Sequence, residues 1–259
     1  MTPLDIEAAA LHLLTARRHR REGPRLPESC RPESIEDALA IQRRLALLLD
    51  EPVGGWKCSL PTPERTVVAP IYSATIFTKA PCSVPPQDKG ARIEPEIAFV
   101  LAKDLPPRAE PYTEAEVRAA IGETRLVLEL MGSRYADPAT IPFPEMLADS
   151  ASNFGLYIGP VVAKGLERSL EGFPVAITGA AGAIFARDGR HPDGHPLRPL
   201  VWLANWFATG GTEWRRGLTA GQIITTGSYV GAVDVPLATP LTVNFGDLGK
   251  LKVTLLPVA

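Results

Sequence analysis

Apolar residues recur with a helical period at the front of the chain. Ile6, Ala9, Ala10, Leu13, Leu14 and Ala16 share one face between Leu4 and Arg21, and the pattern stops before Gly23-Pro24, which predicts an amphipathic helix. After a loop over 24–32, Ser34 stands three residues before Asp37 as a capping pair. Ile35, Leu39, Ile41 and the run 45–49 supply the apolar side of a second helix. From Val53 onward the texture changes. Short apolar runs are cut by Gly54-Gly55, Pro61, Pro63, Pro81, Pro85-Pro86, Gly90 and Pro106-Pro107, the punctuation of a strand-rich segment. Strands are expected over 97–103, 125–131, 154–158, 175–178, 183–187, 223–226, 241–245 and 251–256. Two helices interrupt them. Thr113 with Glu116 opens one, and Pro196 starts the other, which runs over Leu200, Val201, Leu203, Ala204 and Phe207 to Gly210-Gly211. Helices first and strands after, without βαβ alternation, predict an α+β chain. Residues 1–52 form an N-terminal helical region and 53–259 a β-rich core, a sandwich or rolled sheet, joined as one structural unit.

Three acids break this apolar pattern. Glu94 and Glu96 flank Pro95 at the head of Ile97-Ala98-Phe99-Val100-Leu101, and Glu129 interrupts Leu126-Val127-Leu128-Glu129-Leu130-Met131. Residues two apart on a strand share a face, so Glu94 and Glu96 project together. Glu129 lies in a run apolar on both faces, which reads as a strand buried on both sides. An ionised carboxylate there needs a positive partner. Arg92, Arg125 and Arg134 are candidates for that partner, and a bound metal is another. Glu94 and Glu96 also suit the wet face of an edge strand, because Pro95 donates no ladder hydrogen bond. If the partner is a metal, three carboxylates with no Cys or His beside them favour a hard ion, Mg2+ or Mn2+.

Charge and composition exclude several classes. Lys and Arg number 27 against 29 Asp and Glu, a net charge of -2, which argues against a nucleic-acid or anionic-membrane binder. The run Arg17-Arg18-His19-Arg20-Arg21 suits the negative end of the first helix. Cys30, Cys58 and Cys82 are odd in number and far apart, so neither a disulfide framework nor a zinc site is expected. With no signal-peptide pattern and no stretch of 18 apolar residues, a soluble cytoplasmic protein is expected. GxGxxG, a phosphate loop and Gly-x-Ser-x-Gly are all absent. Pro192-Asp193-Gly194 between His191 and His195 reads as a turn rather than a helical ligand pair. Asp149-Ser150-Ala151-Ser152-Asn153 reads as a polar turn that also suits a substrate carboxylate. Lys57 follows Gly54-Gly55-Trp56 in a short candidate strand, as a surface lysine or as an acid or base with a pKa lowered by burial.

The string Arg92-Ile93-Glu94-Pro95-Glu96-Ile97-Ala98-Phe99-Val100-Leu101, closed by Lys103-Asp104-Leu105-Pro106, resembles the 2-keto-4-pentenoate hydratase family of the fumarylacetoacetate hydrolase superfamily. Further similar segments follow in family order. They are Gly55-Trp56-Lys57, Leu128-Glu129-Leu130-Met131-Gly132-Ser133-Arg134, Asp149-Ser150-Ala151-Ser152, Gly194-His195-Pro196-Leu197 with Val201-Trp202-Leu203-Ala204, and Gly221-Gln222-Ile223-Ile224-Thr225-Thr226-Gly227. The resemblance implies a mixed β-sandwich roll with an N-terminal helical region, and Mg2+ or Mn2+ held by Glu94, Glu96 and Glu129. It implies small 2-oxo or 2-hydroxy unsaturated acids as substrates, and Lys57 as the proton-transfer residue with its pKa depressed by the cation. Asp149, Ser152, Thr226 and Gly227 become pocket residues. The implied activity is a metal-dependent hydro-lyase hydrating a 2-hydroxy-2,4-dienoate to a 4-hydroxy-2-oxo acid in aromatic catabolism. The alternatives are a decarboxylase of a 4-oxalocrotonate-like diacid, an acylpyruvate C–C hydrolase, or an inactive partner subunit. A homo-oligomer is expected, with Trp56, Trp202, Trp206 and Trp214 available to bury between subunits. Two departures stand out. The family carries an acid in the segment that here reads Val67-Val68-Ala69-Pro70-Ile71-Tyr72-Ser73-Ala74-Thr75-Ile76, and Ser150 replaces its usual Asn.

Overall fold

The computed structural model describes residues 1–85, 90–209 and 217–258. Two helices open the chain, α1 Pro3–His19 and α2 Ile35–Leu49, each started by a capping box, Thr2 with Asp5 and Ser34 with Asp37. Helix α1 stops two residues short of Arg21 because Arg20 turns left-handed at φ 51°. Four strands follow: β1 Val53–Cys58, β2 Val68–Tyr72, β3 Ile76–Phe77 and β4 Cys82–Val84. Strand β5 spans Ala91–Leu101, helix α3 Glu114–Ala120, strand β6 Ile121–Met131, helix α4 Phe143–Ala148 and strand β7 Asn153–Val161. The hairpin β8 Gly172–Gly179 and β9 Gly182–Arg190 leads to α5 Leu197–Thr209, whose expected stop at Gly210-Gly211 lies outside the described residues. Strands β10 Ile223–Thr225, β11 Val233–Val235, β12 Pro240–Phe245 and β13 Lys250–Pro257 complete the chain.

These strands form two sheets. One runs β2-β1-β10-β5-β6-β7-β3 with β11 also paired to β5, and the other runs β4-β13-β12-β8-β9. Alternation along β6 decides which side chain faces which layer. Leu126, Leu128 and Leu130 enter the main core with Val175, Ile177, Leu241, Val243, Leu251 and Val253 of the second sheet. Each such fully buried Leu contributes about 1.5–3 kcal/mol. Val127 points the other way and joins Ala98, Ile71, Leu156 and Ile223 in a separate cluster. Since Ile71 sits on β2 and Leu156 on β7, the first sheet curls until its distant strands share that inner face. Helices α1, α2 and α4 build a third cluster, which includes Ala69 of β2 and Tyr135.

Strand β5 begins six residues before the expected 97, so Glu94, Pro95 and Glu96 lie inside a central strand rather than on an edge. The proline is tolerated for a local reason. On one side β6 pairs along the whole strand, but on the other β10 meets only residues 98–100 and β11 only 91–93. Pro95 falls in the gap, where a missing N–H leaves no ladder bond unmade. Its carbonyl still accepts from the Tyr229 N–H at 3.3 Å. Trp56 departs from the expected subunit contact too. It is 5% exposed and stacks edge-on against Phe207 at 4.7 Å, already covered within the chain. Trp202 and Trp206 stack on each other at 5.9 Å against the core, and Trp214 lies outside the described residues.

Candidate metal centre

The antiparallel register of β5 and β6 sets Glu94 opposite Glu129 and Glu96 opposite Val127. Strand alternation therefore sends all three acids to the inner face of the curled sheet. One carboxylate oxygen from each lies within 4.8 Å of the other two. Glu96 and Glu129 are 1% and 0% exposed, and Glu94 is half-buried. Lys57 reaches the same spot from β1, which runs parallel to β10 with Lys57 beside Thr225. Its Nζ donates to Glu129 Oε1 at 2.6 Å and to the Ala151 carbonyl at 3.1 Å.

The arginine partners open to Glu129 from sequence are committed elsewhere. Arg92 pairs with Asp234, Arg125 with Glu123 and Arg134 with Asp149. Three acids therefore face one lysine, an excess of two negative charges when all are ionised, which is the charge of one divalent ion. Burial, then repulsion from Glu129, lifts the Glu94 carboxyl to about 7 against the pull of Lys57. Burial, then Glu129 and Glu94, lifts Glu96 to about 8, although Thr225 opposes the rise. Groups held this far above the carboxylate range bind protons where a cation is absent. Glu129 adds a direct sign of fit. Its Oε1 accepts from Lys57 and from Asn153 Nδ2 at 2.9 Å, but its Oε2 is buried without a donor. A buried carboxylate oxygen left unpaired is costly, and an oxygen-seeking cation supplies what it lacks. The donor set thus fits Mg2+ or a similar hard ion.

For Lys57, lowering by burial alone is not what the structure gives. Burial alone depresses its pKa, yet Glu129, Glu94 and Glu96 together outweigh burial and hold it above the usual lysine value in the metal-free protein. The acid missing from 67–76 is not replaced. Strand β2 is buried throughout, Ala69 faces Lys57 across the ladder, and the carboxylates acting on the lysine are those of the cluster.

The candidate pocket residues divide. The Gly227 N–H donates to Glu96 Oε2 at 3.0 Å, and the same oxygen accepts from Thr225 Oγ1. Gly227 has φ 123°, and an added Cβ would lie 3.1 Å from Pro192 Cγ, so both conformation and space call for glycine. Thr226 is fully buried beside His191, with Oγ1 and Nε2 3.4 Å apart. His191 Nδ1 accepts the Asp193 N–H in the expected turn, which leaves Nε2 to carry the proton. Burial, chiefly, brings this histidine down to about 4. Ser152 is half-buried and its hydroxyl makes no hydrogen bond among the described residues. Asp149 stays out of the carboxylate cluster. It is 1% exposed and accepts from Arg134 Nε at 2.5 Å, the Arg134 N–H at 3.0 Å and Arg17 Nη2 at 3.4 Å.

Reasoning from sequence missed Asn153, Thr225 and the Ala151 carbonyl, although period-two alternation from Ile223 puts Thr225 on the inner face. It also gave no hint of the open cleft of about 660 Å³ on the same sheet, lined by Gly54, Ser73, Ile76, Val100, Arg125 and Ile158 among others. None of the three acids lines that cleft.

No family model matches the chain. Relatives do. The chain is 28% identical over 260 residues to the 2-keto-4-pentenoate hydratase of Paraburkholderia phymatum, an alignment covering 95% of this chain and 96% of that protein. It is 29% identical to the 2-oxo-hept-4-ene-1,7-dioate hydratase of Escherichia coli, over 84% of this chain and 85% of that one. Over shorter stretches it is 30% identical to the 4-oxalocrotonate decarboxylase of a Pseudomonas species, across 62% of this chain and 59% of that one. Its fold agrees. The 4-oxalocrotonate decarboxylase of Pseudomonas putida G7, solved in complex with magnesium and adipate, superposes with a TM-score of 0.78 over 99% of both chains at 23% identity.

Proposed function

We propose that the protein is a divalent-metal-dependent hydro-lyase that hydrates a 2-hydroxy-2,4-dienoate to a 4-hydroxy-2-oxo acid, on the rolled sheet of the fumarylacetoacetate hydrolase type. The convergence of Glu94, Glu96 and Glu129 around an unpaired buried oxygen carries this reading. These residues would hold Mg2+ or Mn2+. A bound ion supplies Lewis-acid stabilisation of the negative charge that develops on the 2-oxygen of a chelated 2-oxo acid. The chain's own residues do the rest. Gly227 and Thr225 hold Glu96 in place through its Oε2, and Asn153 holds Glu129 through its Oε1. Lys57, anchored by the Ala151 carbonyl beside the acids, is placed to give a proton to substrate carbon and recover one from the water that adds. Ser152, with its hydroxyl uncommitted, and the Gly227 segment supply polar contacts to the substrate. Asp149 acts from behind, by shaping the turn that carries Ser152. Residues 1–52 pack on β2 beside this site and form one unit with the core, and cytoplasmic homo-oligomers are the proposed working form.

A decarboxylase of a 4-oxalocrotonate-like diacid remains the second reading. The acid that the resemblance leads one to expect on β2 is absent while the three-acid face is retained, which fits the chelate chemistry common to both reactions rather than hydration alone. One assay separates the two. With Mg2+, 2-hydroxypenta-2,4-dienoate loses its ultraviolet absorbance on hydration, and EDTA abolishes the change. A chain that leaves this dienoate untouched but releases CO2 from the diacid is the decarboxylase, and activity that survives EDTA refutes both.

A further inference from the structure

Ser150, Ala151 and Ser152 have φ of 58°, 50° and 59°, three consecutive non-glycine residues in the left-handed region. Single residues visit this region; a run of three is held there by something outside it. Arg134 spans the strained segment. Its Nη2 donates to the Asp149 carbonyl at 2.7 Å and to the Asn153 carbonyl at 2.8 Å, the residues just before and just after the turn. Its Nε donates to the Asp149 carboxylate at 2.5 Å, and Arg17 Nη2 adds a bond to Ser150 Oγ at 3.0 Å. Arg134 is 6% exposed, so this fork is sealed from water.

The turn does two things at the site. Its middle carbonyl, Ala151, accepts from Lys57, and its exit residue, Asn153, donates to Glu129. When Glu129 binds a cation, the Ala151 carbonyl is the anchor of Lys57 that the cation does not share. With no acid on β2 to steer the amine, the carbonyl's placement carries more of the task. We propose that Arg134 is a positioning residue for Lys57, acting by clamping both ends of a left-handed turn so that the Ala151 carbonyl aims the amine at substrate. The guanidinium fork matters as much as the charge, since the carboxylate is held from Nε and the two carbonyls from Nη2, whereas lysine offers a single nitrogen.

The proposal rests on the lyase reading and is tested on the full chain with Mg2+ and 2-hydroxypenta-2,4-dienoate, alongside calorimetric Mg2+ binding. In Arg134→Lys, kcat is expected to fall on the order of a hundredfold with KM changed little, while the Mg2+ Kd stays within about threefold. Adding Ala151→Gly, which adopts the left-handed region without strain, is expected to restore about tenfold of the loss. Full kcat in Arg134→Lys overturns the proposal, as does a loss that tracks Mg2+ binding and that glycine does not rescue. If Arg134→Lys does not fold, Ala151→Pro keeps Arg134 but forbids the positive φ. Lost turnover with Mg2+ binding intact then supports the proposal, and wild-type turnover overturns it. A wild-type protein that binds Mg2+ yet leaves dienoate and diacid unchanged removes the lyase reading instead.

Discussion

Binding of a divalent ion should expel protons from this site. The perturbation is Mg2+ added to metal-free protein, and the magnitude follows from the two raised carboxyls, Glu94 at about 7 and Glu96 at about 8. At pH 7 the first is roughly half protonated and the second roughly nine-tenths, so occupancy of the site releases about 1.4 protons. At pH 6 the figure approaches about 2, and at pH 9 it falls to about 0.1. Affinity for Mg2+ consequently rises with pH and levels off above pH 8. The sign for folding runs the opposite way. A carboxyl raised in the folded state stabilises the metal-free fold below its unfolded pKa, and that contribution fades as pH rises from about 4.5 to about 8. Calorimetric titration at pH 7 in two buffers of different ionisation enthalpy measures the proton count directly. Identical heats in both buffers would refute the reasoning, because they would mean that the acids are already ionised before the cation arrives.

Three further outcomes follow from the same geometry. Glu129→Gln should weaken Mg2+ binding by roughly a hundredfold or more, and Asn153→Ala, which removes a bond to the same carboxylate, by roughly 10–100-fold; calorimetry reads both, and unchanged affinity in Glu129→Gln removes it as a ligand. Lys57→Met should keep the metal and lose about 10²–10⁴-fold in turnover, since it deletes the proton carrier and leaves the acids in place; dienoate absorbance reports it. Gly227→Ala should lower stability by about 1–3 kcal/mol through its φ of 123° and the approach to Pro192, a fall of several degrees in Tm that scanning calorimetry detects.

Much of this site was legible in the sequence because its central element is local. Two acids separated by one residue must share a face of a strand, and an acid inside an apolar run must find a positive partner. Helices α1, α2, α3 and α5 declared themselves through period or through caps such as Ser34 and Thr113, while α4, six residues long, did not. What stayed hidden depends on pairing between distant segments. Pro95 looked like an edge residue because no pattern within β5 announces that β10 and β11 leave a gap opposite it. The raised pKa of Lys57 needs three acids from two other strands counted against its burial. Strands β2, β4 and β11 are three to five residues long, too short for alternation to separate from loop. Asp149 looked like a ligand-binding acid in a polar turn, and only the fold brings Arg17 and Arg134 to it.

The chemistry of this site depends on where the ion sits. A crystal grown with Mn2+ and measured near its absorption edge locates the cation by anomalous scattering. A single strong peak is expected within about 2.0–2.3 Å of carboxylate oxygens from Glu94, Glu96 and Glu129 together, with the Glu129 Oε2 among them. A peak elsewhere, or no peak beside three acids that have closed onto Lys57, would contradict it.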